Sequence, residues 1–402
     1  MADNGSTKKL TRRNLLAGTA AAATITILKP SLIRGSAANA KIALGVIGCG
    51  GRGNWIANLF KKHGGYEIVA CADYFQDRVD AFGKKFNVPA ARRHTGLKNH
   101  EKLLAGGKLD AVAIMSPPYF HPAQAAAAVE AGKHVFVAKP IAVDVPGCLT
   151  IGEAGKKATA KKLVFLVDFQ TRANAFYQEA VKRVHNGDIG RLVTATAFYF
   201  CGLLAGKKVP DDAEGRLRRW VLSKTLSGDI ITEQNIHALD VLAWIADTDP
   251  VSAVGTCGQR VRTGKETTSD HFNLVFEFPN VPASFASRQC GKGPGGIFCT
   301  AYGTSGAIET QYGGNVKVHG NTPYAGGSTG RIFAAGCEAN IATFHKSVTE
   351  GVVHNPTVAA SVRSNLTTVL GRTAAYTGKK VTWDEMIKSN EKVEADLKGL
   401  KD

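Results

Sequence analysis

The chain has 402 residues, a hydrophobic share of 44% and a formal net charge of +17. That length accommodates two domains or more, and no apolar run reaches the ~18 residues that a membrane-spanning helix needs. The positive charge is scattered, without a long basic run or a nucleic-acid motif, so it reads as solvated faces and not as a nucleic-acid surface.

Residues 1–40 read as an export signal. Arg12-Arg13 precede Leu15-Leu16, an Ala- and Thr-rich stretch runs to Leu28, and Ala38-Asn39-Ala40 offers a small-x-small cleavage site. That order predicts export by the twin-arginine machinery, cleavage after Ala40, a periplasmic mature protein and no stable membrane insertion. An N-terminal amphipathic helix that stays attached is the competing reading.

From Lys41 the pattern becomes that of a folded domain. Ile42 to Ile47 is a short apolar run that leads straight into Gly48-Cys49-Gly50-Gly51-Arg52-Gly53. This is G-x-G-x-x-G placed where a strand ends and a helix begins. Gly48 permits the tight turn, and Gly50 lets backbone approach a pyrophosphate. Gly53 lets the helix pack close to the strand, with its first N–H groups toward the phosphates. In a chain with 44 glycines the spacing alone is weak. An acid closing the next strand makes it strong, and Asp73 follows the apolar run that starts at Tyr66. A carboxylate there accepts both adenosine ribose hydroxyls and repels a 2′-phosphate, which favours NAD over NADP. A glycine-rich turn followed by an exposed aspartate is the bland alternative.

Helical patterns at 55–63, 77–86, 97–105, 122–131 and 145–157 alternate with strand patterns at 110–115, 134–138 and 162–168. Such alternation predicts an α/β domain with a doubly wound parallel sheet, whose ligands bind beyond the carboxyl ends of the strands. Gly48, Asp73, Ser116, Lys139 and Asp168 all fall there. After Ala173 the pattern changes. A helix at 176–185 leads to a β-rich run at 191–200. Further strands follow at 252–262, 271–278, 284–289, 298–302, 307–311 and 315–319, with no helix between them, so the second sheet is expected to be open and mainly antiparallel. Phe272, Leu274, Phe276 and Phe278 alternate cleanly. A Lys/Arg-rich loop at 204–227 and a helix at 231–245 come between the first and second of these strands. Helices at 338–350, 357–376 and 383–389 close the chain. The expected division is a signal (1–40), a Rossmann domain (41–168), a substrate and oligomerisation domain (169–335) and C-terminal helices packing back on the body (336–402).

Three groups could carry chemistry. Lys139-Pro140 stands at a strand end in the crevice, where an ammonium could steady an alkoxide; an exposed lysine before a turn proline reads equally well. Glu233 and His237 are spaced to share one helix face, so the carboxylate would orient the imidazole as a general base. A surface Glu–His pair is the commoner outcome of such spacing. Asp168-Phe169-Gln170-Thr171-Arg172 follows the last parallel strand, and Gln170 and Arg172 could both face a polar ligand, or belong to a plain linking strand. Candidate cofactor contacts are Gly48, Gly50, Gly51, Arg52, Gly53, Asp73, Ser116, Pro117, His121 and Lys139. Gln170, Arg172, Asn235 and Trp220 are candidate substrate contacts, Trp220 as a cap over a sugar. No residues show metal-ligand spacing.

The segments GVIGCGGRG, SPPYFHPAQAAAAVEAGKHVFVAKP, SGDIITEQNIHALDVLAWI and GRTAAYTGKKVTWDEM together resemble the Gfo/Idh/MocA family, which includes glucose–fructose oxidoreductase and inositol 2-dehydrogenase. The likeness runs over nearly all of Lys41 to Ser389, and the signal resembles that of the family's secreted branch. It implies an NAD(P)-dependent oxidoreductase acting on a sugar, cyclitol or glycoside hydroxyl, with an open sheet that often forms a homo-oligomer interface. His237 would match the family's base and Lys139 the lysine of its E-K-P motif, where the K-P peptide is often cis. Two departures matter: Ala138 stands where the motif has Glu, and Glu233 where the family usually has Asp. Export implies a tightly bound cofactor recycled in place, by exchange between two sugars or by a redox-neutral glycoside cleavage. The competing class is a non-catalytic carbohydrate-binding protein on a dehydrogenase fold.

Overall fold

The structure is a computed structural model and describes residues 41–204 and 209–402. The export signal expected at 1–40 lies outside the described residues.

The first sheet is built from β1 (Ile42–Ile47), β2 (Tyr66–Ala72), β3 (Arg93–His94), β4 (Ala111–Ile114), β5 (His134–Ala138) and β6 (Phe165–Asp168). All pairs are parallel and the order is β3-β2-β1-β4-β5-β6. Helices α1 (Gly51–His63), α2 (Gln76–Phe86), α3 (Asn99–Ala105), α4 (His121–Glu130) and α5 (Val145–Ala160) connect its strands. Strands β1, β4 and β6 are buried along their whole length, which is why they read as continuous apolar runs without alternation. The expected doubly wound sheet is present.

The second sheet has nine strands in the order β14-β13-β12-β11-β7-β10-β9-β8-β15. They are β7 (Leu192–Cys201), β8 (Ser252–Gly258), β9 (His271–Phe278), β10 (Val281–Gln289), β11 (Gly296–Gly303), β12 (Gly306–Gln311), β13 (Asn315–Gly320), β14 (Tyr324–Ser328) and β15 (Val381–Thr382). Helix α6 (Ala175–His185) precedes β7, capped by the Asn174 side chain, which accepts from the N–H groups of Phe176 and Tyr177. Pairing is antiparallel except between β7 and β10. One face of β9 is buried, through Phe272, Leu274, Phe276 and Phe278.

Three features differ from the sequence expectation. The basic stretch after Leu204 is not all loop: it contains α7 (Ala213–Arg218), a 3-10 turn (Trp220–Leu222) and α8 (Lys224–Ser227). The helix expected at 231–245 is broken into α9 (Asp229–Glu233) and α10 (Ile236–Ala246). At the break the N–H groups of Gln234 and Asn235 both point to Ile230 O, and the His237 N–H turns to Gln234 O. Edge strands β3, β14 and β15 were not expected, because β14 is glycine-rich and the other two are dipeptides, so none alternates.

The last helices α11 (Ile332–Glu350), α12 (Pro356–Thr377) and α13 (Trp383–Ser389) return to the body. Helix α12 packs against α5, β6, β8 and α10, so it is shared by both sheets. Gly371 allows that approach, since a Cβ there would fall 2.7 Å from the Phe276 ring. Helix α11 packs on α1 and brings Cys337 and Asn340 against Asp168.

Candidate active site

A cleft of about 680 Å³ opens beyond the carboxyl ends of β1, β2 and β4. Gly48, Gly50, Gly51, Arg52, Asp73, Ser116 and Pro117 all line it. Gly48 has φ +98°, and a Cβ there would sit 2.6 Å from the Met115 and Ser116 backbone. Gly53 is off the wall but permits the turn, because a Cβ would fall 1.8 Å from Gly48 O. The result is a bare-backbone cradle at the start of α1, suited to a pyrophosphate.

Asp73 forms the adjoining wall. Its carboxylate accepts from Cys49 N at 2.7 Å and Phe75 N at 3.1 Å, and Arg78 Nη1 stands 3.9 Å away. Burial lifts the Asp73 carboxyl above its usual value, against the pull of those two amides and Arg78. With one amide donor on each oxygen, the carboxylate keeps acceptor capacity for the hydroxyls of a ribose. The cradle and this carboxylate fit the dinucleotide that the sequence implied.

Beside the cleft lies a cluster of charges. Lys139 follows β5, at a cis Lys139–Pro140 peptide bond, as the family resemblance implied. Its Nζ donates to Glu233 O and lies 3.6 Å from Glu233 Oε1. Burial pushes the Lys139 ammonium below its ordinary pKa, and Glu233 opposes that shift. The Arg52 guanidinium donates to Asp168 Oδ2 at 2.5 Å and lies against the stacked pair of Trp55 and Phe333, 4.7 and 5.1 Å from their ring centres. Asp168 is wholly buried and also accepts from Asn340 at 2.9 Å. His237 is buried, its Nδ1 has no partner, and its ring faces Tyr312 at 5.1 Å. Burial, then the charges of Lys139 and Arg52, hold the imidazole well below its ordinary pKa. At neutral pH it is an uncharged base beside two cations.

This corrects the expected Glu233–His237 dyad. The helix break turns the Glu233 carboxylate to Lys139, and His237 Nδ1 makes no hydrogen bond to it. Glu233 thereby gives Lys139 a carboxylate where Ala138 supplies none.

Other expected contacts are also placed differently. Gln170 is buried and bonded internally, donating to Asp168 O at 3.1 Å and accepting from Tyr312 OH at 3.4 Å. The Arg172 guanidinium is committed to the buried Asp240, at 2.9 Å, and to the Trp244 face. His121 braces two chain segments, its ring nitrogens 2.8 Å from Pro140 O and 2.7 Å from Ser116 O. Burial pushes its pKa down to about 4, so it is neutral and donates to one carbonyl at a time. Trp220 lines the dinucleotide cleft and is no cap over a sugar beside His237. Asn235 remains a candidate substrate contact: it is fully buried, and neither amide atom has a partner.

Sequence reasoning passed over Phe75, Arg78, Leu97 and Leu217, which also line the cleft. Phe75 is clasped by two guanidinium groups, Arg78 at 4.6 Å and Arg218 at 3.8 Å from its ring centre. Phe75 and Arg78 come within five residues after Asp73, and that nearness was the available signal. Among the described residues no cluster of His, Cys, Asp and Glu forms a metal site.

A family model for an oxidoreductase family with an NAD-binding Rossmann fold matches residues 42–167, and a GFO/IDH/MocA C-terminal domain model matches residues 177–309. Inositol 2-dehydrogenase 3 of Saccharopolyspora erythraea is 30% identical over 59% of this chain and 63% of its own length. Glycosyl hydrolase family 109 protein 4 of Phocaeicola vulgatus is 26% identical over 60% of this chain and 49% of its own. The chain therefore spans less than two thirds of these relatives. Among solved structures, a levoglucosan dehydrogenase in complex with NADH and levoglucosan superposes with a TM-score of 0.70 at 17% identity, over 85% of this chain and 99% of that one. An aldose-aldose oxidoreductase from Caulobacter crescentus gives 0.68 at 18% identity, with the same coverage.

Proposed function

Because the chain belongs to the Gfo/Idh/MocA oxidoreductase family, we propose that it is an NAD-dependent enzyme acting on a hydroxyl of a sugar, cyclitol or glycoside. The observation that carries this reading is the position of Arg52, which lines the dinucleotide cleft and whose charge, with that of Lys139, acts on the buried His237.

Bound NAD supplies a hydride acceptor. His237, kept neutral by burial, takes the proton of the substrate hydroxyl. Lys139, its side chain 14% exposed, stabilises the oxygen that becomes negative, in a site where removal from water strengthens the interaction. Glu233 balances the Lys139 charge. The Asn235 amide offers one donor and one acceptor to a neighbouring hydroxyl. Gly48, Gly50 and Gly51 hold the pyrophosphate, and Asp73 takes the adenosine ribose.

The twin-arginine pattern supports export to the periplasm. Free NAD is not expected there, so the cofactor travels in the fold and is recycled in place. Exchange between two sugars satisfies that condition. So does a redox-neutral glycoside cleavage, which the similarity to the glycosyl hydrolase family 109 protein supports. The exposed Val254, Val275 and Tyr302, which the strand register puts on one face of the second sheet, support a homo-oligomer formed through that face.

The test begins with mature protein purified from the periplasm and denatured, its released nucleotide identified by mass spectrometry. NAD near one per chain, with turnover on a panel of cyclitols, aldoses and glycosides, is the expected result. No nucleotide, and none taken up on titration, would sink the enzyme and leave a carbohydrate-binding protein.

A further inference from the structure

Residues 391–402 form neither helix nor strand, yet they alternate. Val393, Ala395 and Leu397 are half-buried, while Glu394, Asp396 and Lys398 are exposed. The segment is pinned along its length. Val393 N donates to Asp144 Oδ2 at 2.8 Å. Arg216 of α7 pairs with Asp396 at 3.0 Å. Gly399, at φ +84°, turns the chain inward. Leu97 N then donates to Lys401 O at 2.9 Å, and Lys401 N donates to Tyr74 OH at 3.2 Å. Gly96 lets the backbones meet, since a Cβ there would lie 2.3 Å from the Asp402 carbonyl carbon.

The groups this segment touches are walls of the dinucleotide cleft. Ala395 and Leu400 pack on a small apolar cluster of Phe75, Leu217 and Leu226, with Tyr74 and Trp220 beside it. Tyr74, Phe75, Gly96, Leu97, Leu217 and Trp220 all line the cleft. They stand with Asp73, which reads the adenosine ribose. The segment also crosses from the first sheet's loops, at Tyr74 and Leu97, to α7 of the second domain, at Arg216.

We infer that residues 391–402 are a strap that holds the adenosine end of the cofactor site shut and sets how slowly NAD leaves. The inference rests on the NAD-dependent reading above. A segment with a half-buried face and single hydrogen bonds opens far more easily than the sheet beneath it. Opening it frees Leu217 and Trp220 to swing from the cleft, so the strap acts on dissociation and not on chemistry. Its residues position the walls and touch no reacting atom.

The test compares the full chain with a Leu400→Glu variant and with a chain ending at Glu391. Dissociation of NAD, of ADP as an adenosine-side probe and of nicotinamide mononucleotide as a nicotinamide-side probe is followed by stopped flow. NAD and ADP should leave about tenfold faster or more from both variants, as expected when one leucine contact is lost, while nicotinamide mononucleotide is unaffected. Unchanged rates for NAD and ADP in both variants would overturn the strap. So would an equal acceleration of all three probes, which marks a general loosening of the fold. If wild type binds none of the three, the oxidoreductase reading falls and the strap with it.

Discussion

The dinucleotide cleft and the charge cluster beside it are neighbours built in opposite ways. The cleft takes most of its walls from one stretch, Ile47 to Gln124, with Leu217 and Trp220 added from α7 and the turn after it. Bare glycine backbone and one carboxylate do the recognition there. The cluster gathers Arg52, Lys139, Asp168, Glu233 and His237 from elements far apart in the chain. Its chemistry depends on which acid meets which base. A local motif announces the first kind of site, whereas only tertiary pairing completes the second.

The largest expected effect separates the two regions. His237→Ala and Lys139→Ala should each lower kcat by roughly 10²–10⁴-fold, while the NAD dissociation constant, measured by calorimetry, stays within a few-fold. If either variant loses NAD binding as severely as turnover, cleft and cluster are one site and the comparison fails.

Arg172→Met probes a residue that belongs to neither region. It leaves the buried Asp240 carboxylate without its cation, although Ser364 still donates to it at 2.6 Å. A loss of about 3 kcal/mol in denaturant unfolding is expected. A raised KM with unchanged stability would restore Arg172 as a substrate contact.

Asp73→Ala sharpens the cleft side. NAD affinity should fall about tenfold, the worth of a charged hydrogen bond, and the preference over NADP should narrow. Equal loss for both nucleotides would show that Asp73 braces the Cys49 and Phe75 amides and nothing more.

The smallest effect concerns Glu233. Its negative charge raises the Lys139 pKa, so Glu233→Gln should lower that pKa further. Lys139 must be protonated to stabilise the alkoxide, so the alkaline limb of the kcat profile should move to lower pH. The acid limb reports His237 and should lie below the ordinary imidazole range, because that pKa is depressed and the base must be neutral. If Glu233→Gln moves the acid limb alone, the carboxylate serves His237 after all.

The first sheet, apart from its edge dipeptide β3, and its cradle were legible because buried strands and a glycine turn leave marks that need no partner. Asp73 was legible for the same reason. The second sheet was legible where alternation is strict, as in β9, and illegible at β14 and β15. The break between α9 and α10 falls in the polar run Thr232 to Asn235, which holds no glycine or proline to mark it. That break alone reassigns Glu233 from His237 to Lys139. Gln170 and Arg172 misled because alternation shows which face a side chain takes, not whether an acid such as Asp168 or Asp240 waits there.

The most direct test of the account is a single-turnover experiment on the NAD-loaded protein. Cyclitols and pyranoses are added in excess, and the near-ultraviolet absorbance of reduced nicotinamide is followed in wild type and in His237→Ala. The account predicts a rise approaching one NADH per bound NAD for at least one of these compounds in wild type, slowed at least about 100-fold in the variant. Fully loaded wild type that reduces no cofactor with any of them, or a variant as fast as wild type, would contradict it.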